Sequence, residues 1–293
     1  MYSFVIYHLP LIINHLPLIL FPNCKINLGL NILSKREDGF HDIATVFYPV
    51  HITDALEIIH APSNSQSINF TSSGIVVDGN IDDNICIKAY YLLQKDFPQI
   101  PAITMHLHKS IPLGAGLGGG SADGAFTLKL LNDKFKLNLS NEQLIKYALQ
   151  LGSDCPFFII NKPCFATNRG ELLKEIKIDL PNYQILIVNP GIHINTGWAF
   201  SEITPALPKH SIEAIIQQPI ITWKSDLLND FEIPVFEKYP AIKSIKEQLY
   251  KNGAIYASMS GSGSSVFGIF EKDNLPDMPF PTTYFVRSAA LYI

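Results

Sequence analysis

The stretch Lys109-Ser-Ile-Pro-Leu-Gly-Ala-Gly-Leu-Gly-Gly-Gly-Ser-Ala-Asp-Gly-Ala-Phe-Thr-Leu128 decides how the chain is read. Five glycines lie between Gly114 and Gly120. Glycine carries no β-carbon to hold a ligand off the backbone, and it adopts positive φ angles that other residues resist. Behind them Gly124, Leu128 and Leu131 recur at helical spacing, with Ser121 expected as the N-cap, so the glycines end where a helix's unpaired N–H groups begin. Backbone donors and the positive end of the helix dipole together bind anions, phosphate above all.

Several glycine loops must be separated. A Walker A loop requires Lys and then Ser or Thr after its last glycine, whereas Gly120 is followed by Ser121 and Ala122. Gly114, Gly116 and Gly119 satisfy G-x-G-x-x-G, but a dinucleotide fold wants the loop straight after a strand, and Ser110-Ile111-Pro112 intervene. The V-A-I-K, H-R-D and D-F-G segments of protein kinases are missing. A flexible linker would be Ser-rich and unpatterned, not flanked by apolar segments.

At 293 residues the chain is long enough for two domains of ordinary size. A 47% hydrophobic and 16% charged composition describes a compact globular protein. The net charge of −4 and the scattered 22 Lys and Arg give no basic field for nucleic acid, so no nucleic-acid partner is expected. Cys24, Cys86, Cys155 and Cys164 lie far apart without zinc spacing, which suggests reduced thiols in a cytoplasmic enzyme. His106 and His108 share a strand face with no third ligand nearby, so they are expected to be solvent-facing or hydrogen-bonded and no protein metal cage is implied. Residues 1–20 are apolar but broken by Pro10 and Pro17, lack a basic start and repeat His-Leu-Pro-Leu-Ile. They are read as an extension, neither signal peptide nor membrane span.

From Phe21 the pattern sharpens. Cys24, Ile26, Leu28, Leu30 and Ile32 alternate with Lys25, Asn27, Gly29 and Asn31, a period of two that marks a half-buried strand with Lys25 and Asn27 on one face. Taken alone, Lys25 reads as an ordinary solvated lysine. Ser140-Asn-Glu-Gln143 is a capping box whose helix stops at Gly152. Asp154 then stands before an apolar Cys-Pro-Phe-Phe run, where a carboxylate is costly without a cation or hydrogen bonds; a helix-cap or Asx-turn aspartate is the plainer alternative.

The segment P-x-G-x-G-L-G-G-G-S, Pro112 to Ser121, resembles the phosphate-binding motif of the GHMP kinases, small-molecule kinases that include homoserine, mevalonate and galactose kinases. Lys25-Ile-Asn-Leu-Gly-Leu30 with Gly39-Phe-His41 is similar to the first motif of the branch acting on a cytidine-diphosphate-linked methylerythritol, Phe40 replacing the commoner Tyr. Ser260-Gly-Ser-Gly-Ser-Ser-Val-Phe267 resembles the third GHMP motif. Three motifs in order cover nearly the whole chain from Phe21.

The resemblance implies an α+β, two-domain GHMP kinase fold: a strand-rich N-terminal domain over 21–160, a ferredoxin-like C-terminal domain over 161–293, and the active site between them. It implies ATP and Mg²⁺, and phosphorylation of the 2-hydroxyl of the methylerythritol moiety, a step of non-mevalonate isoprenoid synthesis. Pro112, Leu113, Gly114, Ala115, Gly116, Leu117, Gly118, Gly119, Gly120, Ser121 and Ala122 would hold ATP. Asp154 would accept or orient the hydroxyl proton, kept ionised by Lys25, which would also stabilise charge on the γ-phosphate. Asn27, Phe40, His41, Thr196 and Phe200 would meet the substrate, Phe200 closing over the base or packing in the core. Gly124 stands where the family usually has alanine, at an expected cost of about 1 kcal/mol in helix propensity. The partner is a small molecule with no membrane, and the protein a monomer or homodimer. The alternatives are another GHMP small-alcohol kinase, of mevalonate or homoserine type, or a non-catalytic nucleotide-binding protein.

Overall fold

A computed structural model describes residues 18–291 apart from 63, 64, 66 and 78. The chain begins with strand β1 (Leu18–Leu20), a long hairpin of β2 (Asn23–Lys35) and β3 (His41–Thr53), then β4 (Ala55–His60) and β5 (Asn69–Gly74). Helix α1 (Ile85–Asp96) leads to β6 (Ile103–Lys109), followed by α2 (Gly119–Phe135), α3 (Asn141–Leu151), α4 (Cys155–Ile160) and the hairpin β7 (Cys164–Asn168) with β8 (Leu172–Glu175). Next come β9 (Tyr183–Asn189), α5 (Thr196–Ser201), α6 (Ile212–Ile215), α7 (Trp223–Asp226), α8 (Glu232–Lys238) and α9 (Pro240–Lys251). Strands β10 (Tyr256–Met259), β11 (Val266–Glu271) and β12 (Phe285–Ala290) complete the order.

The strands form three four-stranded sheets, ordered β1-β4-β6-β5, β2-β3-β7-β8 and β10-β11-β9-β12. This is the expected two-domain α+β architecture, with two boundary corrections. Strand β1 pairs antiparallel with β4, so Leu18–Leu20 belong to the fold and not to an extension; residues 1–17 lie outside the described residues. The cut at residue 160 falls inside the second sheet, because β7 pairs with β3 and β8 continues it to Glu175.

Strand β2 departs from a half-buried strand: from Asn23 to Leu30 every residue is buried. Cys24, Ile26 and Leu28 pack with Ile185, Ile187 and Phe267 from the C-terminal sheet. At Gly29 the register with β3 shifts, the backbone turns to positive φ, and the Thr45 hydroxyl donates to the Gly29 carbonyl at 2.6 Å. Beyond this bulge Leu30 and Ile32 join a different core, with Val188, Val235 and Ile242. One strand therefore serves two hydrophobic cores shared with the C-terminal half, while Lys25 and Asn27, at the alternate positions, are enclosed by Phe47, Thr45, the loop before α2 and Ser260.

Helix α2 packs against α1 at Gly124, where a β-carbon would meet Ile85 Cγ1 at 2.7 Å and Cδ1 at 3.0 Å. The glycine is explained by close approach of the two helices, against which its poor helix propensity is a minor term. The Gly124→Val variant therefore loses about 2 kcal/mol of unfolding free energy or more, since overpacking typically costs about 1–3 kcal/mol. Urea denaturation measures it; an unchanged midpoint would show that the helices separate freely there.

Candidate active site

Strand β6 ends at Lys109, and the chain then makes an irregular loop into α2. Gly114, Gly116 and Gly118 all have positive φ, at 61°, 76° and 69°. Gly116 is the tightest of them. A β-carbon there would stand 1.9 Å from the Ser260 carbonyl oxygen, so only hydrogen fits between the loop and the third motif. The expected N-cap is corrected: α2 begins at Gly119 behind a left-handed Gly118, with no side-chain cap, and Ser121 lies inside the first turn. The leading N–H groups of Gly119, Gly120 and Ser121 are left without an intrahelical acceptor at a cleft of about 670 Å³.

The cleft is lined by Pro112, Leu113, Gly114, Ala115, Gly116, Gly118, Gly119, Gly120 and Ser121, faced by Lys25 and Asp154 and by Thr196 of the second half. The side chains of Leu117 and Ala122 are buried in the cores, so what these two residues offer a ligand is backbone. Leu117 contributes through its backbone instead, its carbonyl accepting from the Lys25 N–H at 2.9 Å.

Asp154 precedes α4 as its N-cap, yet its side chain makes no capping bond. That carboxylate is free to face Lys25, whose ammonium lies 3.4 Å from Asp154 Oδ2. Lys25 is 4% exposed and Asp154 34%, so the amine is enclosed while the acid remains open to the cleft. The ammonium also donates to Asn27 Oδ1 at 2.6 Å and lies 4.7 Å from the centre of the Phe47 ring. Asn27 lines neither this cleft nor its neighbour: it is 2% exposed and donates to the Thr45 hydroxyl at 3.0 Å. Its side chain is thus taken up by the Lys25 ammonium on one atom and the Thr45 hydroxyl on the other.

The third motif locks onto the loop. The Ser260 hydroxyl donates to the Gly116 carbonyl at 2.7 Å and accepts from the Asn27 N–H at 3.2 Å, and the Ser265 N–H reaches the Ala115 carbonyl at 3.1 Å. Asn189 supports the serines from below, donating to Ser264 and Ser265 at 3.1 and 3.0 Å.

A second cavity of about 640 Å³ adjoins the first and shares Thr196 and Gly197 with it; Phe40, His41 and Phe200 line it. The Arg169 guanidinium covers one side of Phe40 at 4.8 Å from the ring centre. His41 stacks on Phe200 with ring centres 4.7 Å apart and planes 12° from parallel, and Phe231 abuts Phe200 edge-on at 4.9 Å. Burial, with Lys35 nearby, holds the His41 imidazole below its ordinary value, so it is neutral at pH 7 with one donor and one acceptor nitrogen. His106 and His108 lie apart from both cavities, bonded to Thr71 and Ser73.

The chain matches the GHMP kinase N-terminal domain model over residues 84–162 and the GHMP kinase C-terminal model over 211–277. A Bacteroides fragilis protein named 4-diphosphocytidyl-2-C-methyl-D-erythritol kinase is 49% identical over 268 residues, covering 91% of this chain and 97% of its own. The chain belongs to the GHMP kinase family. A Cytophaga hutchinsonii protein of the same name is 51% identical over 254 residues, covering 86% of this chain and 92% of its own. Among solved structures, a 4-(cytidine 5'-diphospho)-2C-methyl-D-erythritol kinase superposes with a TM-score of 0.72 at 30% identity, covering 86% of this chain and 89% of that one. A homoserine kinase from Cytophaga hutchinsonii superposes at 0.66 with 13% identity, a likeness of fold alone.

Sequence reading missed the residues that support this GHMP kinase site from behind. Neither Arg169 nor Asn189 carries a local signal, because the Phe40 ring and the Ser264 and Ser265 hydroxyls that they meet are remote in sequence. Asp123 had a signal: it sits on the same helical stripe as Ala122, Phe126 and Thr127, a charge on a face that must be buried. Replacing Gly116 by Ala tests the loop most directly, since the new methyl meets a carbonyl and the φ is strained. The KM for ATP rises at least tenfold, by order of magnitude, or the protein fails to fold; wild-type kinetics would show that the loop does not close on Ser260.

Proposed function

We propose that the chain is an ATP-dependent kinase that phosphorylates the 2-hydroxyl of 4-diphosphocytidyl-2-C-methyl-D-erythritol, a step of non-mevalonate isoprenoid synthesis in the cytoplasm. The observation that carries the reading is the Lys25–Asp154 pair at 3.4 Å, held at the edge of a glycine loop whose free amides face the same cleft. Phosphoryl transfer asks for positioning and charge stabilisation more than covalent chemistry. Loop amides from Leu113 to Ser121 hold the phosphates. Asp154 accepts or orients the proton of the attacking hydroxyl while its oxygen bonds to the γ-phosphorus and the bridge to the β-phosphate breaks. Lys25 stabilises the negative charge on the transferring group.

The donor set fits Mg²⁺ delivered by the phosphates. Among the described residues no three His, Cys, Asp or Glu side chains converge on one point. The cleft supplies a single carboxylate, Asp154, and the Ser121 hydroxyl, and Mg²⁺ needs few protein ligands when phosphates provide the rest. Bound there, the ion neutralises charge on the phosphates.

The adjoining aromatic cavity favours the cytidyl substrate over a small alcohol such as mevalonate or homoserine. Phe40 offers a flat apolar face, and neutral His41 offers a donor and an acceptor, which suits the mixed edge of cytosine. Among the described residues no helix is long and apolar enough to cross a membrane. The reading needs only one chain, since all its groups come from a single copy.

A coupled ADP-release assay with the cytidyl compound tests the reading. Asp154→Asn and Lys25→Met are expected to lower turnover by about 10²–10⁴-fold with ATP still bound; near-normal rates in both remove the assignment. Phe40→Ala raises the KM for the cytidyl compound roughly tenfold and leaves that for ATP alone, because base stacking contributes about 1–3 kcal/mol. Lowering the pH through the depressed His41 value turns its acceptor nitrogen into a donor, so this KM climbs only in acid. A KM that is flat across that range would take His41 out of base recognition.

A further inference from the structure

The aromatic cavity is built on a ring that burial does not hold. Phe40 is 52% exposed in the turn between β2 and β3, yet a base that stacks binds best to a face already fixed in place. Hydrogen bonds anchor its backbone at both ends: its N–H donates to Asp38 Oδ1 at 3.1 Å, and its carbonyl accepts from the Arg36 N–H at 2.8 Å. One side of the ring is covered by the Arg169 guanidinium, which belongs to the turn between β7 and β8. Two turns remote in sequence must therefore meet at a set distance for the Phe40 ring to be held with its other face open.

One side chain joins the two turns. The Arg36 guanidinium grips Asp38 as a fork, with Nε 3.1 Å from both carboxyl oxygens and Nη2 3.0 Å from Oδ2. Its Nη1 donates to Asp42 Oδ1 at 3.0 Å and, across in the other turn, to Asn168 Oδ1. Asn168 has a left-handed φ of 62°, and its amide donates to Glu171 Oε1 at 2.6 Å. The second oxygen of Glu171 accepts from the Arg169 N–H at 2.8 Å, and Arg169 Nε lies 3.5 Å from Glu171 Oε1. The contacts run from Phe40 through Asp38, Arg36, Asn168 and Glu171 to Arg169, and close back on the Phe40 ring. Arg36 itself stands outside the cavity lining, so it acts on a ligand only through these partners.

We propose that Arg36 is a positioning residue for the base cavity: by tying the Phe40 turn to the Arg169 turn, it holds the Phe40 ring with one face against Arg169 and the other free to stack on the base of the cytidyl substrate. Shape matters here more than charge. A lysine would supply the same positive charge as a single point, without the planar fork that spans Asp38, Asp42 and Asn168 at once. Arg36, Asp38 and Asp42 are all partly exposed, and ion pairs this open contribute little to folding. The fork therefore sets a position without being needed to keep the chain folded.

The inference rests on the cytidyl kinase reading, and one set of assays separates the two failures. With ADP release followed on the cytidyl compound, Arg36→Met and Arg36→Lys each raise its KM about tenfold, the size of effect expected from a lost stacking face. Turnover and the KM for ATP stay within about twofold of wild type, and the urea midpoint is unchanged. Because Arg36 acts through Phe40, the two effects do not multiply: Arg36→Met combined with Phe40→Ala has the KM of Phe40→Ala alone. The proposal is overturned by a KM that neither Arg36 variant moves, by recovery in Arg36→Lys, or by multiplied effects in the double variant. A fall in turnover and urea midpoint along with the rise in KM also overturns it, since that marks a merely structural residue. Wild type that releases no ADP with the cytidyl compound sinks the kinase reading, and this proposal with it.

Discussion

Lys25 must be buried and charged at once, and much of the architecture follows from meeting that requirement. An ammonium removed from water needs partners on every side it presents. Here Asn27 accepts one hydrogen bond, Asp154 supplies the opposing charge, and the Phe47 ring faces the ammonium. None of these groups is near Lys25 by sequence except Asn27. The strand carrying Lys25 has to be enclosed, so β2, although at the edge of its sheet, is buried on both faces, and its bulge at Gly29 lets one strand feed two cores shared with the C-terminal half. The main chain of Lys25 takes part as well, since its N–H fixes Leu117 and with it the middle of the glycine loop. A single residue thereby sets both the reacting charge and the position of the amides around it.

The same logic explains why the third motif is rich in glycine and serine. The loop passes so close to the second half that the Gly116 α-carbon leaves no space for a methyl before the Ser260 carbonyl. Ser260 then bridges the loop and β2, donating to Gly116 and accepting from Asn27. Small residues allow the approach, and their hydroxyls satisfy the backbone groups that the approach would otherwise strand. The cleft is consequently made by two halves held in register through main-chain atoms, which positions phosphate-binding amides more firmly than mobile side chains would.

The sequence made legible what depends on local pattern. The glycine loop, the capping box at Ser140 and the strand alternation around Lys25 each rest on residues within a few positions of one another. It was silent where the determining contacts are remote. Alternation alone makes Lys25 and Asn27 a solvated face; Phe47, the glycine loop, Asp154 and Ser260, all remote in sequence, enclose them. The Gly124 deficit in helix propensity was visible, but Ile85, the neighbour that requires it, belongs to another helix. Ser121 has the composition of an N-cap, yet Gly118 takes that place because the loop needs a left-handed turn there. The boundary near residue 160 failed for a related reason: β7 and β8 come after α4 in sequence but complete the sheet begun by β2 and β3.

Two buried lysines therefore divide the work of the site, and the contrast between them shows why both are needed. Lys109 has two carboxyl partners and no solvent exposure, so its charge is fully answered and none is left to act on a ligand. Lys25 has one carboxylate at 3.4 Å, a third of whose surface remains open to the cleft. Its field is only partly cancelled and can reach an incoming phosphate. If Lys25 were as completely paired as Lys109, it would be stable and inert; if Lys109 were as open as Lys25, the loop ends that it joins would lose their fixed spacing. Rigid amides and an unspent positive charge are different demands on the same residue type, and the fold meets them by placing one lysine beneath the loop and the other beside it.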